Sequence, residues 1–149
     1  MRKYLSLAAF LLLAVGGGTA IGLSNLPGEW YAGLNKPSFN PPDWVFGPVW
    51  TALYVLIAIA GWRVWLRRDR TAMTLWWSQL ALNFAWSPVF FGMQRIGLAL
   101  LVIVALLGAI AGFMIAARGT DRVSSLLFAP YAAWVAFAAV LNAALAALN

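Results

Sequence analysis

Five apolar runs, each about as long as a membrane-crossing helix, divide this chain of 149 residues, and nearly every charge falls in the breaks between them. A helix rises about 1.5 Å per residue, so crossing the hydrocarbon layer takes about 20 apolar residues. The runs at about residues 4–24, 43–66, 71–91, 96–117 and 123–148 meet that requirement. The reading is an all-α integral membrane protein: one domain, 1–149, built as a bundle of five transmembrane helices. Composition agrees, since 64% of residues are hydrophobic and 9% charged, too little polar surface for a soluble domain. The opening Met1-Arg2-Lys3 and its apolar run also resemble a secretory signal peptide. The apolar stretch continues past Ala20, which favours a retained span.

The breaks are short and basic: Arg67-Arg68-Asp69-Arg70, Gly92-Met93-Gln94-Arg95 and Arg118-Gly119-Thr120-Asp121-Arg122. Only the first connection, 25–42, is long. Its four prolines, Pro27, Pro37, Pro41 and Pro42, predict an ordered segment that is not a regular helix throughout. Five crossings place Arg2, Lys3, Arg63, the 67–70 cluster and the 118–122 cluster on one side, with net charge +6. The other side holds Glu29, Lys36, Asp43 and Arg95, and sums to zero. The positive-inside rule then puts the N-terminus in the cytoplasm and the Pro/Trp loop outside, as in an inner membrane. The same confinement of positive charge to helix ends excludes a nucleic-acid partner, despite an isoelectric point near 10.6.

Conventional catalysis lacks its parts. There is no Cys and no His, so the usual general base and the commonest zinc and haem-iron ligand are missing. No metal site and no required cofactor are expected. The four carboxylates, Glu29, Asp43, Asp69 and Asp121, lie at segment ends or in loops. No Asp, Glu, Lys or His lies in the middle of a span, where an ion-coupled transporter needs one. Arg63, about one turn inside the end of the second span, and Arg95 read as interfacial anchors that snorkel to the surface.

What remains is aromatic and amide chemistry. Nine Trp residues fit two settings, the water–lipid boundary and flat apolar pockets. Gln79, Asn83 and Ser87 recur every four residues along the third span and share a stripe. That stripe serves either interhelical hydrogen bonds or a ligand. Trp50 and Tyr54 share a face of the second span. Trp134, Phe137, Ala138, Leu141 and Asn142 share one on the fifth, and each stripe by itself is ordinary core. Trp50 falls about two turns inside the outward end of its helix, and Trp134 near the middle of the fifth span. Trp30, Tyr31, Phe39 and Trp44 read as members of an interfacial belt. Small residues four apart, Gly18/Gly22, Ala81/Ala85 and Gly108/Gly112, allow close helix contact within the chain or in a homodimer.

Three stretches carry a resemblance. The segment from Trp30 to Pro42, continuing through Val49-Trp50-Thr51-Ala52-Leu53-Tyr54, is similar to the first loop and second helix of the TspO/MBR family, the tryptophan-rich sensory and translocator proteins, which include the peripheral-type benzodiazepine receptor. Gln79 to Gly92 and Pro130 to Asn142 resemble the same family in the same order, so the likeness covers almost the whole chain. The resemblance implies a five-helix bundle, often dimeric, that holds protoporphyrin-type ligands, benzodiazepine-site drugs and, in mitochondria, cholesterol. It implies a pocket of Trp50, Tyr54, Asn83, Trp134, Phe137, Ala138 and Leu141. Over it lies a lid loop that includes Trp30, Tyr31, Lys36, Pro37, Pro41 and Pro42.

Porphyrin also suits the residues, since a flat macrocycle with acidic tails fits a Trp-lined slot with Lys36 at its mouth. The absence of His and Cys points to a metal-free porphyrin, or to haem held by stacking. Two departures stand out. Phe39 and Phe84 occupy positions where many relatives carry Trp, and the tail after Leu141-Asn142 lacks the Tyr and basic residue of the mammalian sterol motif. The expected role is a membrane receptor or sensor. Light-dependent porphyrin breakdown, for which the family implicates the tryptophans matching Trp50 and Trp134, and porphyrin or lipid transport are the alternatives. Some bacterial relatives are described in the outer membrane.

Overall fold

The structure is a computed structural model that describes residues 1–149. Its first helix spans Arg2–Ser24 and is followed by a short lid helix, Glu29–Ala32. The second helix runs Phe46–Leu66 behind a single 3₁₀ turn, Asp43–Val45. The third is Arg70–Ser87 extended by a π-turn, Pro88–Gly92, and the fourth is Ile96–Ala117. The fifth begins as Arg122–Leu127, breaks at Phe128, and resumes as Ala129–Leu148 with Pro130 in its first turn. There is no strand. This is a multi-pass, all-helical membrane bundle.

Four of the five helices are long and apolar enough to cross a membrane on length and composition alone. The third is the exception, because Thr71, Thr74, Ser78, Gln79, Asn83 and Ser87 dilute its apolar character. Two of its hydroxyls are met internally: Thr74 and Ser78 donate to the carbonyls four residues back, at 2.9 and 2.8 Å. A hydroxyl left without a partner in hydrocarbon is costly.

Helix neighbours follow the order first, second, fifth, fourth, third, and the end of the first helix returns to the third, closing a ring. Trp76 of the third helix packs where the first, second and third helices meet, against Phe10 and beside Gly61. Its ring is fully buried and its Nε1 donates to the Ile57 carbonyl at 2.9 Å. A Cβ at Gly61 would overlap the indole, so the second and third helices meet there only because residue 61 has no side chain. Of the small-residue pairs, Gly18 abuts Tyr54 and Gly112 abuts Leu75, while Gly22 and Gly108 touch nothing within 4 Å.

The basic end is bound by ions rather than by lipid-facing anchors. Asp121 is in a loop yet only 4% exposed. Arg63 donates to both its oxygens, Nε to Oδ2 at 2.8 Å and Nη2 to Oδ1 at 3.0 Å, and Ser124 adds a hydroxyl bond. Arg67 stands 3.6 Å from Asp121 Oδ1 and donates to the Thr120 carbonyl at 3.0 Å. The snorkelling role expected of Arg63 is therefore corrected. A carboxylate within reach offers a planar guanidinium two aligned bonds, which lipid headgroups do not hold in place. Asp69 caps the third helix by accepting from the Ala72 amide at 3.0 Å.

The guanidinium of Arg63 holds the Asp121 carboxyl down at about 2, against the cost of its burial. A depressed carboxyl stabilises the fold above its unfolded pKa and loses that contribution as pH falls through the folded value. Thermal melting in detergent should therefore weaken between about pH 4 and pH 2, and Asp121→Asn should flatten that dependence. The same substitution should lower stability near neutrality by about 2 kcal/mol, because Arg63 is left without its counter-charge. Equal pH profiles for the two proteins would contradict this assignment.

Candidate functional site

Where the helices splay at the lid end, they leave a cavity of about 490 Å³. It is walled by the end of the first helix, the start of the second, the end of the third and the outer half of the fifth. Ile103 and Leu106 of the fourth helix add apolar wall. A single Pro-driven irregularity shapes one side. Pro88 has no N–H, so the helical ladder widens into a π-turn closed by the Met93 amide on the Pro88 carbonyl at 2.8 Å. The wider turn lets two successive rings, Phe90 and Phe91, both reach the cavity.

Trp50, Tyr54, Asn83, Trp134, Ala138 and Leu141 all line this one space. Trp50 and Tyr54 lie one turn apart with ring centroids 5.6 Å apart and tilted by 32°. Trp134 meets Phe46 edge-to-face at 5.9 Å. Trp86 stacks on Phe90 at 4.9 Å and 23°. The wall is thus made of aromatic faces from three helices.

A chain of hydrogen bonds stands behind it. Tyr54 Oη donates to Asn83 Oδ1 at 2.7 Å, and Asn83 Nδ2 donates to Tyr131 Oη at 2.7 Å. Tyr131 Oη in turn donates to Gln79 Oε1 at 2.8 Å. Tyr131 and Gln79 are fully buried. Both readings of the polar stripe on the third helix thus have a place: Gln79 and Asn83 knit the second, third and fifth helices, while Asn83 and Ser87 also face the cavity. A second link joins Trp86 Nε1 to Asn142 Oδ1 at 3.0 Å, and Asn142 Nδ2 to the Ile96 carbonyl at 3.0 Å. One polar atom of the wall is left over. The Trp134 indole N–H is buried and has no partner, which makes it a donor open to an acceptor on a bound molecule.

Several expected positions are corrected. Phe137 does not line the cavity; it packs behind Trp134 at 5.6 Å and against Phe39 at 6.2 Å. Lys36 is not at the mouth. Its Nζ folds back to donate to the Tyr31 carbonyl at 2.7 Å and lies 4.6 Å from the Tyr31 ring centre. The open carbonyls at the end of the short lid helix attract the ammonium more strongly than an empty rim does. Tyr31 is no belt residue: it is 6% exposed, lines the cavity, and meets Phe90 and Phe91 edge-to-face.

Trp30, Pro37, Pro41 and Pro42 shape the loop without touching the cavity, and Trp30 packs on Phe90 at 5.7 Å. The first helix and its exit, Gly18 to Pro27, form a wall that the sequence reading did not assign to the site. The signal available for it was Gly18, whose missing side chain admits the Tyr54 ring.

Comparison with known proteins agrees with this geometry. The TspO/MBR family model matches residues 8–148. The human translocator protein is 40% identical over 120 residues, covering 76% of this chain and 71% of the relative. A tryptophan-rich sensory protein from Cereibacter sphaeroides is 42% identical over 132 residues, covering 88% and 84%. The tryptophan-rich protein TspO of Archaeoglobus fulgidus is 42% identical over 123 residues, covering 80% of each.

The buried bonds behind the wall have a measurable consequence. Tyr131→Phe strands Asn83 Nδ2 and Gln79 Oε1 in an apolar interior and should cost about 1–2 kcal/mol in detergent unfolding. Tyr54→Phe should cost less, since Asn83 borders the cavity and its freed oxygen can meet water. The reverse order would mean that the network is not what holds these three helices together.

Proposed function

The chain belongs to the TspO/MBR family, and from that membership we propose that it is a membrane receptor or sensor for planar, largely apolar ligands of the porphyrin type. The observation that carries this reading is the convergence of Trp50, Trp134 and Tyr54 on one aromatic cavity. Its volume lies within the range of about 300–1,000 Å³ usual for drug-sized ligands. Aromatic faces supply stacking area at low conformational cost. The unpaired Trp134 N–H and the Asn83 amide supply orientation. Benzodiazepine-site drugs, which are compact, aromatic and largely apolar, are proposed as occupants of the same space. No cofactor is needed for such binding.

The lining residues include one charged side chain, Asp43, at the rim. Acidic tails on a ligand would therefore be held outside the rim, toward water, rather than paired with Lys36. A wall of this kind binds and orients; acid–base turnover has no group positioned for it. Occupancy draws the lid, the third helix and the fifth helix onto one object, which is how binding would be reported to a partner. The asymmetry of charge between the two ends supports a cytoplasmic N-terminus and an outward lid. Pairing with a second copy belongs to the same proposal, supported by the open face at Gly108 of the fourth helix.

Protoporphyrin IX titrated into the detergent-solubilised protein should quench Trp fluorescence saturably. Combining Trp50→Ala with Trp134→Ala should abolish the saturable component, and Trp44→Ala, at an exposed loop position, should leave it intact. Saturable quenching that survives the double substitution would place the ligand elsewhere. Illumination of the complex checks the enzymatic alternative, which requires a product that free porphyrin does not form.

A further inference from the structure

The ionic cluster at the basic end uses up two of the eight cations there. Asp121 holds Arg63 and Arg67. Asp69, the other carboxylate at that end, is occupied by the Ala72 amide and the Thr120 hydroxyl. Arg2, Lys3, Arg68, Arg70, Arg118 and Arg122 are exposed and have no carboxylate partner. Four of these six cluster at one corner, Arg2 and Lys3 in the first turn of the first helix, Arg68 and Arg70 where the chain enters the third. Arg118 and Arg122 flank the connection between the fourth and fifth helices.

Local structure does not account for the four. Arg2, Lys3 and Arg70 stand in first turns, where the helix dipole disfavours positive charge, and neither turn contains an acid. Arg68 holds φ at 56°, a conformation that glycine adopts with less strain. Positive charge is kept where the backbone would gain by losing it.

Below these cations, toward the bilayer centre, runs an aromatic strip that crosses three helices. Trp65 lies 6.1 Å from Phe10, Phe10 lies 5.2 Å from Trp76, and Trp76 meets Trp77 edge-to-face at 4.9 Å. Phe10 and Trp76 are buried, whereas Trp65 and Trp77 at the two ends of the strip are 49% and 50% exposed. Trp77 comes seven residues after Arg70, and Phe10 eight after Arg2, which is about 10–12 Å at 1.5 Å per residue. Lys3 is fixed to the same wall: its Nζ lies 5.6 Å from the Trp62 ring, and Trp62 Nε1 donates to the Lys3 carbonyl at 3.0 Å. The lid end has no counterpart, since its cations are Arg95 and Lys36, the latter folded onto the Tyr31 carbonyl, and Glu29 and Asp43 balance them.

We propose that the corner between the starts of the first and third helices binds one anionic phospholipid. Its phosphate lies among Arg2, Lys3, Arg68 and Arg70, and an acyl chain lies against Trp65, Phe10 and Trp77. Each basic residue at the membrane surface adds attraction for an anionic headgroup, and the half-exposed indoles add apolar contact below it. The lipid covers the junction at which three helices meet around Trp76. The site is separate from the aromatic cavity and does not depend on what fills it.

The test titrates chain-brominated phosphatidylglycerol into the detergent-solubilised full chain and follows Trp quenching. Quenching should saturate at a mole fraction about tenfold lower than with brominated phosphatidylcholine. Arg68→Gln with Arg70→Gln should weaken binding by about thirtyfold. Arg118→Gln with Arg122→Gln, an equal loss of charge, should leave it unchanged. Trp65→Phe with Trp77→Phe should remove the quenching specific to phosphatidylglycerol. If circular dichroism shows that Arg70→Gln frays the third helix, Arg2→Gln with Lys3→Gln tests the same corner by the same criterion. Equal quenching by the two lipids, or equal weakening by the two arginine pairs, would reduce the effect to general surface potential and overturn the site. Displacement by an equal concentration of inorganic phosphate would remove the acyl-chain contact and the proposal with it. Loss of quenching as the protein self-associates would assign the strip to a second copy instead.

Discussion

Hydrocarbon offers no hydrogen bonds, so a polar group carried into it is costly unless it finds a partner within the protein. The third helix brings in the most, with Gln79 and Asn83 on one stripe, and its neighbours meet both polar ends of Asn83 and the carbonyl of Gln79. Tyr54 comes from the second helix and Tyr131 from the fifth, and together they connect three helices through one unbroken series of bonds. The third helix falls short of ordinary transmembrane hydropathy for the same reason that it organises the fold. Its polar residues are expensive in lipid alone and specific in company.

The cavity is a consequence of that arrangement. The hydrogen-bonded series holds the middle of the bundle tight, and the crossing of Trp76 on Gly61 does the same nearer the basic end. Toward the lid, irregular elements take over: the π-turn at Pro88–Gly92, the short lid helix and the proline-rich loop. Helices fixed at mid-height and spread at one end enclose a space, and aromatic side chains wall it without closing it. At the opposite end, Asp121 gathers Arg63 and Arg67 and joins the second helix to the loop before the fifth. The two ends therefore differ in kind, one rigid and ionic, the other hollow and aromatic.

How much of the site was legible depended on what kind of fact each residue represents. Trp50 with Tyr54, and Trp134 with Ala138 and Leu141, were legible as faces, because helical periodicity puts residues three and four apart on one side. Asn83 was legible because an amide in an apolar helix demands a partner. Lys36, Phe137 and Tyr31 were misplaced, and each for a local reason. Lys36 found unpaired carbonyls nearer than the rim, Phe137 was drawn back between Trp134 and Phe39, and Tyr31 was buried by two phenylalanines that the π-turn at Pro88–Gly92 turns toward the cavity.

From its residues alone, the chain is committed to five spans, to a strong charge difference between their ends and to a long proline-stiffened loop. Those properties depend on transfer free energy and on backbone stereochemistry, which act residue by residue. Tertiary structure decided the rest: that Arg63 meets Asp121 across 58 positions, that Gly18 admits Tyr54, and that Phe10 packs between Trp65 and Trp76. These are outcomes of which helix faces which, and at what height they cross. A periodic pattern states that a helix has a face; only the packed bundle determines what that face meets.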